Sequence, residues 1–413
     1  MNNLQRYELD NGLRVFLSQN NGLHTFATNL SVNYGFFNTT NRENGLAHLI
    51  EHMISEGTSR LNKKSLRAQL DKNTTYWNAQ TDDEFTSYDF KALSFDTAEN
   101  LFYLIKEMVF DSNFPESSII SEKSAVINEV MENFGSDFTL EDAIAFGYLF
   151  KKEPSEFLGG NPRTVKEFRR KNLMSSYLKY YSPQNSVLSV TGNFEGDKAK
   201  NMIKETFGSI DNFGKQPNLE VYLGKTPYRE INLKNFNPYK GQSHILIGMK
   251  IPGSKELYKK SETSRAGLQS MSAFLSNNLM EELRDKLGIV YDAGAEIDIG
   301  KYSGCITVYA QVKNEDLETG KKAIYHQIDR IINGEVTENT VEGSKVNAKI
   351  YFQDIQDYTL DYASKISSSI LKHGRSPGKL YKEYDLLDVD GLRAAGEYFR
   401  APLAEDSVLL VSQ

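Results

Sequence analysis

Two of the six histidines, His48 and His52, lie four residues apart in GLAHLIEHMISEGT, with Glu51 beside the second. Leu46, Leu49, Ile50 and Met53 fall at i, i+3, i+4 and i+7, which predicts one apolar stripe of an α-helix. At 100° per residue, His48, Glu51, His52 and Ser55 centre about 160° from that stripe, so two imidazoles and a carboxylate project together from the other face. The plain reading of such a face is a solvated surface. The chemical one is a metal site, because histidines on adjacent turns can reach one Zn²⁺ while a glutamate one turn after the first holds the attacking water.

A catalytic Zn²⁺ site takes three protein ligands and leaves the fourth position open. A third ligand must therefore come from another element. PESSIISEKSAVINEVMENFGSD, from Pro115, reads as a helix with an apolar arc of Ile119, Val126, Ile127, Val130 and Phe134. Glu122 and Glu129 are two turns apart on one meridian at the border of that arc, where carboxylates become half buried. Surface glutamates are common on helices, so this pair points to chemistry only beside the histidines.

The spacing His-x-x-Glu-His is the inverted zinc-peptidase motif. With Glu129 lying 77 positions beyond His52, and Glu122 seven before it, the chain resembles the pitrilysin/insulinase family of zinc metallopeptidases, in size its processing-peptidase branch. Further phrases that resemble the family are NGLRVFLSQ, NAQTDDEFTSYDF, YYSPQNSVLSVTGNF and ELRDKLGIVYDAG. The resemblance implies one Zn²⁺ per chain bound by His48, His52 and Glu129, Glu51 as general base, and Glu122 supporting a ligand histidine. It also implies that Arg284 and Tyr291 anchor the substrate carbonyl and donate to the oxyanion. Asn78 and Ala79 match the edge strand that holds an extended peptide by main-chain hydrogen bonds. Gln80 stands where the family has a bulky or aromatic residue, so inherited subsite preferences do not carry over, and Leu49 replaces the commoner Phe without chemical consequence.

These residues need a frame. The chain has 413 residues, enough for two domains, of which 39% are hydrophobic and 25% charged, a globular composition. QRYELDNGLRVFLSQNNGLHTFATNLSVNYG alternates like two or three antiparallel strands, and YREINLKNFNPYKGQSHILIGMKIPG repeats that order some 222 positions later. YLKYYSPQNSVLSVTG and EYFRAPLAEDSVLLVSQ match in the same way. Long amphipathic helices follow in LSFDTAENLFYLIKEMVFD and NEDLETGKKAIYHQIDRIIN. An α+β architecture is expected, two tandem homologous sandwiches of a mixed, largely antiparallel sheet packed with helices. The catalytic domain would span 1–212, a Gly- and Pro-rich linker 213–228, and a second domain without zinc ligands 229–413, carrying Arg284 and Tyr291. Shifting GLAHLIEH by 222 positions lands on GLQSMSAF, where Ser270, Ala273 and Phe274 replace His48, Glu51 and His52.

Lys plus Arg 48 against Asp plus Glu 55 gives −7, which argues against nucleic acid and anionic membranes as partners. The lone cysteine, Cys305, cannot form an intrachain disulfide and reads as a small apolar strand residue. MNNLQRYELDNGLRVF lacks the pattern of a secretory signal, giving a cytoplasmic expectation. His24, His244, His326 and His373 have no ligand spacing. The function expected is a zinc-dependent endopeptidase cutting short or unfolded polypeptides or precursor peptides inside a dimer-enclosed chamber. Since the chain carries both the zinc motif and the Arg/Tyr pair, a homodimer would suffice. The alternatives are a heterodimer with a related subunit in which this chain is a non-catalytic, peptide-binding member, and a structural zinc protein. A structural site would be closed by a fourth ligand, which is not evident.

Overall fold

The computed structural model describes residues 4–134, 139–211, 224–234, 241–403 and 405–413. Most of the expected linker, 213–228, lies outside them. The chain forms two compact units.

The first is built on six strands: β1 (Gln5–Glu8), β2 (Arg14–Gln19), β3 (Phe26–Val32), β4 (Tyr76–Thr81), β5 (Thr86–Ala92) and β6 (Ser186–Gly192), in the order β1-β2-β6-β3-β5-β4. β2 runs parallel to β6 and all other neighbours are antiparallel. The three N-terminal strands exist as their alternation predicts, but β3 does not pair with β2. β6 lies between them, because alternation fixes which side chains face inward and not which strand comes alongside. The same unit holds helices α1 (Leu46–Ile54), α2 (Lys63–Asn73), α3 (Ala98–Phe110) and α4 (Glu116–Phe134), of which α1 packs on β4 and α2 on α3. One face of the sheet is covered by a helix from far along the sequence, Thr359–His373. Polar groups on that face find partners there: Ser189 Oγ bonds Ala363 O at 2.6 Å and lies 2.8 Å from Ser367 Oγ.

The second unit holds α5 (Thr139–Phe150), β7 (Arg229–Leu233), β8 (Gln242–Pro252), α6 (Ser264–Leu279), β9 (Val290–Ile299), β10 (Ser303–Lys313), α7 (Leu317–Ile332) and β11 (Ser407–Ser412). Its sheet has the order β7-β11-β8-β10-β9, with β7 parallel to β11 and the rest antiparallel. This repeats the pairing of β2-β6-β3-β5-β4 strand for strand. The duplication read from the sequence is thus a duplication of topology, and the fold is the expected α+β pair of sheet-and-helix sandwiches. Each unit also draws a helix from the opposite half of the sequence, α5 in one case and Thr359–His373 in the other. The second core joins Ile245, Ile247 and Met249 of β8 to Leu268, Met271 and Leu275 of α6 and to Ile324, Ile328 and Ile331 of α7. Cys305 is buried in β10, where burial pushes its thiol pKa up to about 12. Among the described residues no helix is long and apolar enough to cross a membrane.

Candidate metal centre

Gly45 starts α1 at φ +91°, and a Cβ there would lie 2.6 Å from Val165 Cγ2 and 3.1 Å from Gly160 Cα, so glycine lets the chain enter the helix against that loop. The apolar stripe of α1 is fully covered, as its periodicity predicts: Leu46, Leu49, Ile50 and Met53 are buried. The opposite face is not a wet surface. His48 is only 6% exposed, because the turn at Gly159 lies over it. Its Nδ1–H donates to Gly159 O at 2.9 Å, which leaves Nε2 with a lone pair. Gly159 adopts φ +100°, and a Cβ there would sit 3.0 Å from His48 Nδ1. Only glycine lets the main chain come that close.

His52 is fixed in the same manner by a different partner. Its Nδ1–H donates to Glu122 Oε2 at 3.4 Å, again turning the Nε2 lone pair inward. The two Nε2 atoms are 3.2 Å apart, and Glu129 Oε2 lies 3.5 Å from each. Glu122 and Glu129 come from the expected meridian of α4, where Ile119, Val126 and Val130 are buried beneath them. Glu122 is mostly covered and Glu129 about half exposed.

Two lone pairs and a carboxylate oxygen pointed at one another repel unless a cation lies between them. From the three separations, a point equidistant from the atoms is about 2.0 Å from each, the length of a zinc–nitrogen or zinc–oxygen bond. His48, His52 and Glu129 form the one group among the described residues whose His, Cys, Asp and Glu ligand atoms converge in this way. The donor set therefore fits Zn²⁺. Without the ion a proton takes the place: burial opposes charge on His52, but hydrogen bonds with Glu122 and Glu129 and the nearby Glu51 outweigh it and raise its pKa to about 10. The facing His48 and His52 rings hold the Glu129 carboxyl far below the usual range. The bond from His52 also lowers the Glu122 carboxyl, against the effect of burial.

The cluster lies in a cavity of about 580 Å³, whose lining includes Glu51, Asn78, Ala79, Gln80 and Thr81. Among the described residues β4 is the last strand of its sheet, so its outer edge faces that space with main-chain groups unpaired by a neighbouring strand. Glu51 is held from β4, its Oε2 accepting from Thr81 Oγ1 at 2.9 Å. Sequence reasoning missed Thr81 and Gly159. The first shares a strand face with Ala79, two residues away. The second carries a signal in the Gly159–Gly160 pair, which marks close backbone approach. All described residues that line the cavity belong to the first unit. Arg284 and Tyr291 belong to the second. Arg284 sits in a π-helical turn, Met280–Lys286, that continues α6 and ends at Gly288, φ +66°. Tyr291 is the second residue of β9 and is 83% exposed, with the Arg284 guanidinium 5.6 Å from its ring centre.

A duplicated sheet-and-helix fold with a His-His-Glu centre beside an open strand edge defines a metallopeptidase-like class. Residues 14–144 match the family described as "Insulinase (Peptidase family M16)", and residues 167–347 match "Peptidase M16 inactive domain". The chain belongs to this family. A protein named "Uncharacterized zinc protease" from Rickettsia felis is 23% identical over 384 residues, 92% of this chain and 90% of that one. The beta subunit of mitochondrial-processing peptidase from Bos taurus is 28% identical over 205 residues, 48% of this chain and 41% of that one. Among solved structures, a protease from Helicobacter pylori shares the fold over 100% of both chains, with a TM-score of 0.86 at 18% identity.

Proposed function

We propose that the protein is a zinc-dependent endopeptidase that cuts short or unfolded polypeptides, with His48, His52 and Glu129 as the metal ligands and Glu51 as the general base. The observation that carries this reading is the convergence of three ligand atoms, two of them aimed by fixed imidazole tautomers, beside an unpaired strand edge. Zinc held by His48, His52 and Glu129 would supply Lewis acidity toward the scissile carbonyl and a water. The peptide adds to the edge of β4 through main-chain hydrogen bonds at Asn78 and Ala79, which sets the scissile bond in the cavity. Glu51, oriented by Thr81, takes the proton of the attacking water and passes it to the leaving amine. Glu122 fixes the His52 ring.

Arg284 and Tyr291 act on the substrate carbonyl and the developing oxyanion, supplied by the partner subunit of a homodimer. Tyr291 presents its phenol to solvent in this chain, as a group with such a role requires. The test is the Glu51→Gln variant, whose amide cannot accept the proton. It is expected to bind zinc as the parent does and to lose cleavage of a mixed peptide library, read by mass spectrometry. Retained cleavage would refute the assignment of Glu51.

A further inference from the structure

A buried carboxylate with no obvious task lies just beyond the histidine helix. Glu56 is 2% exposed, and its Oε2 has no hydrogen-bond partner among the described residues. A carboxylate that deep is costly unless a cation meets it. Lys63 does, its Nζ 2.6 Å from Glu56 Oε1, while Arg67 approaches to 3.9 Å. The same ammonium lies 3.4 Å from Glu122 Oε1. The other oxygen of Glu122 is the one that accepts from His52 Nδ1.

Lys63 is the first residue of α2, whose N-cap is Asn62, with its side chain bonded to Ser65 N. A cation at a helix N-terminus is on the unfavourable end of the macrodipole, so local helix energetics do not explain it. Two carboxylates within reach of the ammonium do. On the surface, a lysine paired with Glu122 alone would keep most of its rotamer freedom and orient nothing. Tied to a buried anion at 2.6 Å, it loses much of that freedom.

We propose that Lys63, anchored by Glu56, is a positioning residue of the metal centre, holding Glu122 against His52 and thereby setting the ring that presents Nε2 to the ion. This rests on the reading of His48, His52 and Glu129 as a zinc site. The role is separable from support of the fold, because Lys63→Met leaves Glu56 buried without its nearest cation, whereas Glu56→Gln/Lys63→Met removes both charges.

The experiment is zinc competition against a chromogenic chelator on the full chain, run beside urea unfolding and the visible spectrum of the Co²⁺-loaded protein. Lys63→Met is expected to weaken zinc binding about tenfold, within the range for lost outer-shell partners. Lys63→Arg is expected to recover most of that loss. The double variant is expected to regain the stability lost in Lys63→Met while its zinc binding stays about tenfold weak and its Co²⁺ bands stay displaced. Zinc affinity in Lys63→Met equal to that of the parent would overturn the proposal, as would a double variant that recovers affinity together with stability. A parent chain that binds no zinc would instead refute the metal reading on which the proposal stands.

Discussion

Replacing Gly159 by alanine tests whether the turn over α1 orients His48 or merely covers it. Two costs follow from the structure. At φ +100° an L-residue is strained, by about 1–3 kcal/mol. The new Cβ would stand 3.0 Å from His48 Nδ1 and 3.2 Å from Cε1, so the ring and the turn must separate by a few tenths of an ångström. That separation weakens the bond from Nδ1 to Gly159 O, worth about 1 kcal/mol net. The metal-free variant should therefore unfold with a loss of about 2–4 kcal/mol in urea. Zinc binding should fall further, since an imidazole without its Nδ1 partner loses both tautomer and aim, and such losses weaken affinity about 10–100-fold. The stability term is read on metal-free protein and the affinity term by chelator competition. A Gly159→Ala chain that binds zinc as tightly as the parent would show that the carbonyl does not orient His48, whatever its effect on folding.

Two further perturbations probe the second unit. Burial, then the carboxylates of Glu296 and Glu141, raise Asp142 from 3.8 to about 7, so the folded chain keeps that proton over a range in which the unfolded chain has lost it. The contribution is full below pH 3.8 and is lost as pH rises to 7. Asp142→Asn should match the parent near pH 4 and exceed it at pH 8 by up to about 4 kcal/mol, from about 1.36 kcal/mol per unit. Equal urea midpoints at pH 8 would refute this. Gly343 lies within the helix Glu338–Asp354 with open space where a Cβ would stand, so Gly343→Ala should raise stability by about 1 kcal/mol. A lower urea midpoint would mean that this helix face meets something the isolated chain does not show.

The local parts of the site were legible because each rests on a short period. His48, Glu51 and His52 share a face by helix geometry alone, and Glu122 and Glu129 share a meridian for the same reason. What covers that face was not legible. Gly159 is 111 residues from His48, and no local pattern announces such an approach. The bond from Thr81 to Glu51 likewise depends on how β4 lies across α1. In the sheet, the insertion of β6 between β2 and β3 joins segments more than 150 residues apart, which alternation cannot express. The exchange of α5 and Thr359–His373 between the two units escaped for the same reason, since an amphipathic helix shows which stripe it buries and not which sheet receives it.

The duplicated topology separates what the fold requires from what the site requires. In the first unit α1 packs beside the edge strand β4, and in the second α6 packs beside β9, the strand in the equivalent place. Both helices bury an apolar stripe, so both satisfy the sheet. At the positions matching His48, Glu51 and His52, α6 has Ser270, Ala273 and Phe274, and Ser270 is buried. A helix here thus needs no histidine or glutamate to be stable. Placing two imidazoles and a half-buried carboxylate on that face is costly without a cation, because the aimed lone pairs repel. The first unit nevertheless fixes both tautomers, one through a glycine turn in left-handed backbone and the other through Glu122. Those supports stabilise an arrangement that the second unit, with the same strand order and the same helix position, does without. A proton on His52 offsets that cost in the metal-free chain, and an ion at the point where the three ligand atoms meet would do so in its place, which is why the metal-binding measurements above bear on the function and not only on the fold.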